Sequence, residues 1–166
     1  MDLSKLSKEI SYALRHAPWE YELELDNEGW VEIHQLLTGL HLNKHWESVN
    51  ETDLVHMIEV ADKKQHEILN GRIRAIYGHF TPQRILNTAA TPPILYHGTA
   101  RQLVEKIFID GLQPMARQYV HLSVDTNTAN VVGKRKDSTP VLLKIQAEVA
   151  LNEGVRLLSE ENKVLD

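Results

Sequence analysis

Arg15 and His16 are adjacent in the segment YALRHAP, and together they have the chemistry to bind or transform a phosphate group. An arginine guanidinium is permanently charged and can donate two parallel hydrogen bonds to phosphate oxygens. A histidine ordinarily titrates near neutrality, so it can bind the same anion or transfer a proton. The pair also ends a predicted helix, where cations stabilise free carbonyl groups and the helix dipole. Sequence physics alone favours that structural role, and both interpretations stay open.

Two other segments carry arginines of the same potential. Alternation in RIRAIY places Arg72 and Arg74 on one face of a strand and Ile73 on the other. Arg117 directly precedes the segment QYVHLS. Solvated surface charge is the more common role of such residues.

A strand that runs straight into a helix, YHGTARQ, gives the second group of candidates. We expect Gly98 to let a ligand approach the backbone, and Thr99 is placed to cap the following helix. His97 then presents a ring nitrogen at the strand end. His121 and Ser123 share one face of a predicted strand, although His121 equally suits a buried structural histidine. The segment VGKRKD has the composition of a basic surface loop.

The elements that must position these residues fall into two groups. Several short helices are followed by a hairpin around Asn70-Gly71, a strong turn signal. This pattern predicts a winged-helix lobe over residues 1–85, and the proline-rich segment after it predicts a linker over 86–93. The remainder, 94–166, predicts the strands ILYHG, YVHLSV and PVLLKIQAEVAL. It also predicts a helix ended by Gly111, whose core face is formed by Leu103, Val104, Ile107 and Phe108.

Composition limits the classes of protein that fit. The chain has no cysteine and a net charge of −5, so thiol chemistry is excluded and a broad basic surface for nucleic acid is not expected. His41 and His45 have a spacing that suits zinc on a helix, but no third ligand follows, so we predict no metal site. The absence of a long apolar run predicts no membrane segment. We expect a cytoplasmic, monomeric protein.

Six segments in order, YALRHAP, DNEGWVEI, RIRAIYGH, PPILYHGTA, GLQPMARQYVHLS and VGKRKDSTPVLLKI, resemble the RNA 2'-phosphotransferases of the tRNA-splicing type. The resemblance covers nearly the whole chain. It implies an α+β fold with an N-terminal winged-helix RNA lobe and a C-terminal, β-rich lobe that resembles ADP-ribosyltransferases and binds NAD.

The resemblance also implies roles for individual residues. Arg15, His16, Arg74 and Arg117 match the family's catalytic tetrad. NAD is implied as a co-substrate, held by residues of three motifs: His97, Gly98 and Thr99, then His121, Leu122 and Ser123, then Gly133 and Arg135. The implied reaction moves an internal RNA 2'-phosphate to NAD. It gives 2'-hydroxyl RNA, ADP-ribose cyclic phosphate and nicotinamide. His16 is either a phosphate ligand or a proton-transfer group.

The chain departs from the family pattern in a few places, which keeps two alternatives open. Ile76-Tyr77 and Phe80 replace polar residues in the segment after RIRA, His66 ends a KQH segment where the family has a KRF-like one, and Tyr119 stands in RQYVHLS. One alternative is an ADP-ribosyltransferase that leaves ADP-ribose on a nucleic-acid phosphate. The other is a winged-helix RNA-binding protein without catalysis.

Overall fold

A computed structural model of the chain divides it into two compact units, Met1–Thr81 and Pro82–Asp166. The structure describes residues 1–76, 84–86, 92–115, 117–155 and 157–159. Both helices and strands occur in each unit, so the fold is α+β as predicted. The division lies between residues 81 and 82, slightly before the linker expected at 86–93.

The first helix, α1, spans Leu3–Ser11 and continues into a wider π-helical turn, Tyr12–His16. Asp2 caps its start by accepting a hydrogen bond from the Lys5 amide at 3.1 Å. The α region is disfavoured for a residue before proline, and Ala17, with φ −140°, leaves the helix there. Its N–H bonds the Tyr12 carbonyl at 2.9 Å and closes the π turn.

The rest of the first unit joins short helices to a three-stranded antiparallel sheet, whose middle strand is the last of the three along the chain. A 3₁₀ turn, Pro18–Tyr21, precedes it. The helices are α2 (Ile33–Leu40) and α3 (Glu51–Val60), with a 3₁₀ turn at Lys44–Trp46 between them. The strands are β1 (Val31–Glu32), β2 (His66–Leu69) and β3 (Arg72–Ala75).

The hairpin between β2 and β3 confirms the turn prediction. Asn70 and Gly71 have φ values of 53° and 75°, a left-handed pair that asparagine and glycine tolerate best. The register pairs Glu67 with Arg74 and Ile68 with Ile73. Ile73 and Ala75 face the core, whereas Arg72 and Arg74 lie on the other face, as the alternation predicted. The core packs side chains from each helix and from β3: Leu6, Ile10, Leu36, Leu54, Met57 and Ile73.

The second unit contains two antiparallel strand pairs. Strand β4 (Arg84–Leu86) pairs with β7 (Leu157–Ser159), and β5 (Ile94–Thr99) pairs with β6 (Val141–Gln146). Its helices are α4 (Val104–Asp110), α5 (Thr126–Lys136) and α6 (Ala147–Asn152), with a 3₁₀ turn at Arg101–Leu103 before α4.

Two predicted strands and one predicted helix of this unit differ from the structure. The segment YVHLSV forms no strand, because only Ser123 makes a bridge, to Tyr96. The long strand stops at Gln146, where α6 begins. Gly111 does end α4, but two members of its predicted core face are exposed, Leu103 by 40% and Phe108 by 78%.

No helix among the described residues is long and apolar enough to span a membrane.

Candidate active site

The π-helical turn is what presents Arg15 and His16. Ala13 and Leu14 point into the core with no more than 1% exposure, so the next two side chains must point outwards. His16 is exposed and Arg15 is half-buried. The Tyr12 and His16 rings lie 6.5 Å apart between centroids. π-Helical turns inside α-helices frequently accompany functional sites, and the adjacent pair stands on one.

Arg15 is anchored to the hairpin but keeps a donor without an acceptor. Its Nη2 donates to the Gln65 carbonyl at 3.3 Å, the same oxygen that accepts the Ile76 N–H at 2.9 Å. Its Nε is buried and has no hydrogen-bond partner among the described residues. A buried donor that makes no hydrogen bond is costly, so this atom indicates a place for an acceptor such as an anion.

His66 lies beside Arg15, and sequence reasoning missed it. Its side chain is 2% exposed, and its Nε2 lies 2.9 Å from the Ser11 hydroxyl oxygen. Burial, with a smaller contribution from the Arg15 charge, lowers the pKa of His66 to about 4. The ring is therefore neutral at pH 7 and adds no positive charge next to the guanidinium. The only signal in the sequence was its position in the KQH segment, where the family that the chain resembles has a KRF-like segment.

Arg74 lies on the outer face of the hairpin, where acidic and aromatic groups hold it. Its Nε donates to Glu67 Oε1 at 2.5 Å, and its Nη1 donates to the Glu28 carbonyl at 3.2 Å. Its guanidinium carbon lies 4.6 Å from the centroid of the Trp30 ring. Within the described residues, no hydrogen bond joins Arg74 to Arg15 or His16.

In the second unit, β5 brings the HGT and HLS segments together. The Nδ1 of His97 lies 2.8 Å from the His121 carbonyl oxygen. The backbones of Tyr96 and Ser123 exchange two hydrogen bonds, at 2.8 and 2.7 Å. The structure thus places His121, Leu122 and Ser123 alongside the strand end that carries His97, although that segment is not itself a strand.

Two glycines among the predicted NAD residues have a packing role. A Cβ at Gly98 would lie 2.2 Å from the Ala129 carbonyl oxygen, and one at Gly133 would lie 3.2 Å from the Gly98 Cα. The absence of both side chains lets α5 lie directly on β5. Gly98 therefore faces a helix, and the close backbone approach expected there is made by α5.

The segment VGKRKD forms the end of α5, up to Lys136, and the residue that follows it, and it is not a surface loop. It brings Arg135 into the unit that carries His97. The Lys136 ammonium donates to the Gly98 carbonyl at 3.0 Å, and Gly133 is buried. These contacts tie the helix end to the predicted NAD strand. Basic residues in a last turn also complement the helix dipole.

An ion pair that sequence reasoning missed closes the same region. Asp137 accepts from Arg101 Nε at 2.9 Å, from Arg101 Nη2 at 3.0 Å and from the Arg101 backbone N–H at 3.0 Å. These bonds hold the pKa of Asp137 well below its usual range. Thr99 does not cap the following turn as predicted, because Ala100 occupies the cap position and Thr99 is buried as the last residue of β5.

Arg117, the fourth tetrad residue, lies in the second unit. Its side chain is half-buried, and its backbone N–H bonds the Pro114 carbonyl at 3.0 Å. The other three predicted catalytic residues lie in the first unit.

Tyr77 and Phe80 lie outside the described residues, so two of the departures from the family pattern have no structural description. His41, weighed as a zinc ligand, has its Nε2 2.6 Å from the Val49 carbonyl oxygen.

Comparison with known proteins identifies the family of the chain. The sequence model of the RNA 2'-phosphotransferase, Tpt1 / KptA family matches residues 2–165. A probable RNA 2'-phosphotransferase of Acetivibrio thermocellus is 58% identical over 165 residues, which cover 99% of this chain and 91% of the relative. Similarly named proteins of Bacillus thuringiensis and Pyrococcus horikoshii are 50% and 38% identical. The aligned residues cover 97% and 96% of this chain, and 88% and 90% of these two relatives. The chain therefore belongs to the RNA 2'-phosphotransferases, a family of transferases.

Proposed function

We propose that this enzyme transfers an internal RNA 2'-phosphate to NAD, as in tRNA splicing. The products are RNA with a free 2'-hydroxyl, ADP-ribose cyclic phosphate and nicotinamide. The first unit acts as a winged-helix RNA lobe, because three helices precede the β2–β3 hairpin and its sheet. The second unit acts as an ADP-ribosyltransferase-like lobe that binds NAD.

The observation that carries the proposal is the buried Nε of Arg15, which lacks a hydrogen-bond acceptor among the described residues. The Gln65 carbonyl fixes one end of this guanidinium, and the exposed ring of His16 follows it on the same turn. A phosphate oxygen would satisfy the donor and lie within reach of both side chains. A neutral ligand would gain much less from a permanently charged group.

The reaction proceeds in two displacements. A 2'-phosphate oxygen attacks the anomeric carbon of the nicotinamide ribose, and the bond to nicotinamide breaks with its electron pair leaving on the ring. A neighbouring ribose hydroxyl then attacks phosphorus, and the bond from phosphorus to the RNA 2'-oxygen breaks. The proton of that hydroxyl ends on the RNA 2'-oxygen. His16 is the group of the tetrad that can move it.

The three arginines of the tetrad supply the positive charge that the reaction needs. An RNA phosphate must approach the negatively charged pyrophosphate of NAD, so positive groups have to offset the repulsion. Arg15 and Arg74 bind the phosphate, and Arg117 acts from the NAD lobe. Fixed donors of this kind stabilise the charge that develops on phosphorus during the second displacement.

The residues near β5 are suited to NAD. His97, Thr99, Ser123 and Arg135 bring hydrogen-bonding groups and a cation into one unit, as a dinucleotide with a pyrophosphate requires. NAD supplies the electrophilic anomeric carbon and a leaving group that departs neutral. The contacts of Lys136 and Asp137 keep α5 and the 3₁₀ turn before α4 fixed around this strand.

The test is a product analysis with a 2'-phosphorylated oligonucleotide, with and without NAD. We expect 2'-hydroxyl RNA and ADP-ribose cyclic phosphate only when NAD is present. Alanine at Arg15, Arg74 or Arg117 should cost roughly 2–4 kcal/mol of transition-state stabilisation. The control is Lys63→Ala, which removes an exposed cation from the same unit. RNA that retains ADP-ribose would assign the ADP-ribosyltransferase alternative, and RNA binding without any product would assign the non-catalytic one.

A further inference from the structure

Arg74 is held at three points of its guanidinium by two separate parts of the first unit. Glu67, on β2, accepts from Nε at 2.5 Å. The turn before β1 provides the other two contacts, through the Glu28 carbonyl 3.2 Å from Nη1 and the Trp30 ring at 4.6 Å. The two hydrogen bonds thus fix Nε and Nη1 of the planar guanidinium, and the Trp30 ring fixes one of its faces.

The turn that carries Glu28 and Trp30 is itself fixed to the sheet. Asp26 accepts hydrogen bonds from the Trp30 amide at 3.0 Å and the Glu28 amide at 2.8 Å. Its other oxygen accepts from Arg72 Nη1 at 3.2 Å. The Trp30 ring therefore stands on a braced turn beside β3, and a braced ring can orient the side chain that stacks on it.

These contacts leave one part of Arg74 available. Among the described residues its Nη2 makes no hydrogen bond, while Nε and Nη1 are both engaged. The arginine side chain is 27% exposed, so a ligand can reach part of it from solvent. A flexible arginine must lose rotamer freedom when it binds an anion, and a side chain that is already ordered loses less.

The presence of Glu67 has a cost for phosphate binding, since a carboxylate next to the guanidinium repels an incoming anion. An ion pair as exposed as this one adds little to folding stability. Orientation is the remaining role for which its geometry is suited.

The geometry points to Glu67 and Trp30 as positioning residues that hold the Arg74 guanidinium with Nη2 directed at the RNA 2'-phosphate. This inference rests on the proposed function, because it takes Arg74 as a phosphate ligand. Neither residue touches the reacting atoms, and both act through Arg74. Glu28 contributes mainly through its backbone carbonyl, because its carboxylate is 3.9 Å from Arg74 Nη1 and 74% exposed. Side-chain replacement there should therefore matter less.

A double-mutant cycle tests the inference. Glu67→Ala and Trp30→Leu are made in the natural chain and in Arg74→Ala, and single-turnover phosphate transfer is measured with saturating NAD. We expect each variant to slow transfer about tenfold in the natural chain and to have no further effect without Arg74. Glu67→Gln retains an acceptor for Nε and should lose less than Glu67→Ala. Trp30→Phe retains a ring and should lose less than Trp30→Leu.

Two further measurements separate the possible failures. Lys63→Ala, which removes an exposed cation from the same unit, should leave transfer unchanged. Melting temperatures identify any variant that is simply unfolded. Binding of 2'-phosphorylated and 2'-hydroxyl oligonucleotides without NAD gives a readout independent of turnover. Each positioning variant should lose part of the preference for the phosphorylated strand.

Equal fractional losses with and without Arg74 would show a merely structural role and overturn the inference. So would a Glu67→Ala enzyme that is as fast as the natural one or faster. If the natural chain transfers no phosphate but prefers the phosphorylated strand, and Glu67→Ala weakens that preference, the proposed function fails while the positioning role stands.

Discussion

The buried His66 should make the stability of the first unit depend on pH in a way that one substitution removes. Its ring is 2% exposed, and burial together with the Arg15 charge lowers its pKa from 6.5 to about 4. In the unfolded chain the same ring takes up a proton near pH 6.5. The stability that depends on keeping the folded ring neutral is therefore fully present above pH 6.5 and is lost progressively as the pH falls towards 4.

The size of the effect follows from the two pKa values. Each pKa unit corresponds to about 1.4 kcal/mol, so the whole difference corresponds to about 3 kcal/mol. At pH 5 the unfolded ring is almost fully protonated and the folded ring is mostly neutral. We therefore expect about 2 kcal/mol of the unfolding free energy at pH 7 to be lost at pH 5 through this residue.

Urea unfolding followed by tryptophan fluorescence measures this directly. All three tryptophans of the chain, Trp19, Trp30 and Trp46, lie in the first unit, so the signal reports on that unit. His66→Gln should be less stable at pH 7 but should lose about 2 kcal/mol less than the natural chain between pH 7 and 5. His34→Gln, at an exposed position, controls for the loss of a histidine as such. Equal losses in His66→Gln and the natural chain would refute the reasoning.

Three further outcomes are expected. Gly98→Ala should destabilise the second unit by about 1–3 kcal/mol, because its Cβ would lie 2.2 Å from the Ala129 carbonyl oxygen. Faster hydrogen exchange in α5 would show this destabilisation, and unchanged exchange would contradict the packing role. His16→Ala should slow the second displacement at least as much as the first, so ADP-ribosylated RNA should accumulate in a mass spectrum; a uniform slowing without that species would leave His16 as a phosphate ligand only. Because the chain has a net charge of −5, we expect RNA affinity to decrease only slightly as the salt concentration rises and to depend strongly on the 2'-phosphate. An affinity that decreases steeply with salt and is the same without the 2'-phosphate would contradict a local, phosphate-centred contact.

Local signals in the sequence predicted the hairpin and the face of β3 well. Asn70 and Gly71 tolerate positive φ values, so the turn depends on the two residues themselves. The alternation of Arg72, Ile73 and Arg74 is equally local, because strand geometry alone sends neighbouring side chains to opposite faces. Such features need no knowledge of distant partners.

Features that depend on distant partners were missed or wrong. VGKRKD resembled a loop because of its glycine and charges, yet Gly133 is required by Gly98, which lies far away in the chain. The strand predicted at YVHLSV has the right alternation, but a strand also needs a continuous partner, and only Ser123 has one. The contacts that hold Arg74 come from Glu67 and Trp30, two residues that no periodicity in the sequence connects.

The central claim is that the phosphate moves to NAD, and isotope tracing tests it most directly. An oligonucleotide whose 2'-phosphate carries ¹⁸O in its non-bridging positions is incubated with the enzyme and NAD, and the products are weighed by mass spectrometry. Of the bonds to phosphorus, the proposed chemistry breaks only the one to the RNA 2'-oxygen. All the label should therefore appear in ADP-ribose cyclic phosphate, with none in the RNA. Label released as inorganic phosphate, or product formed equally well without NAD, would contradict the account.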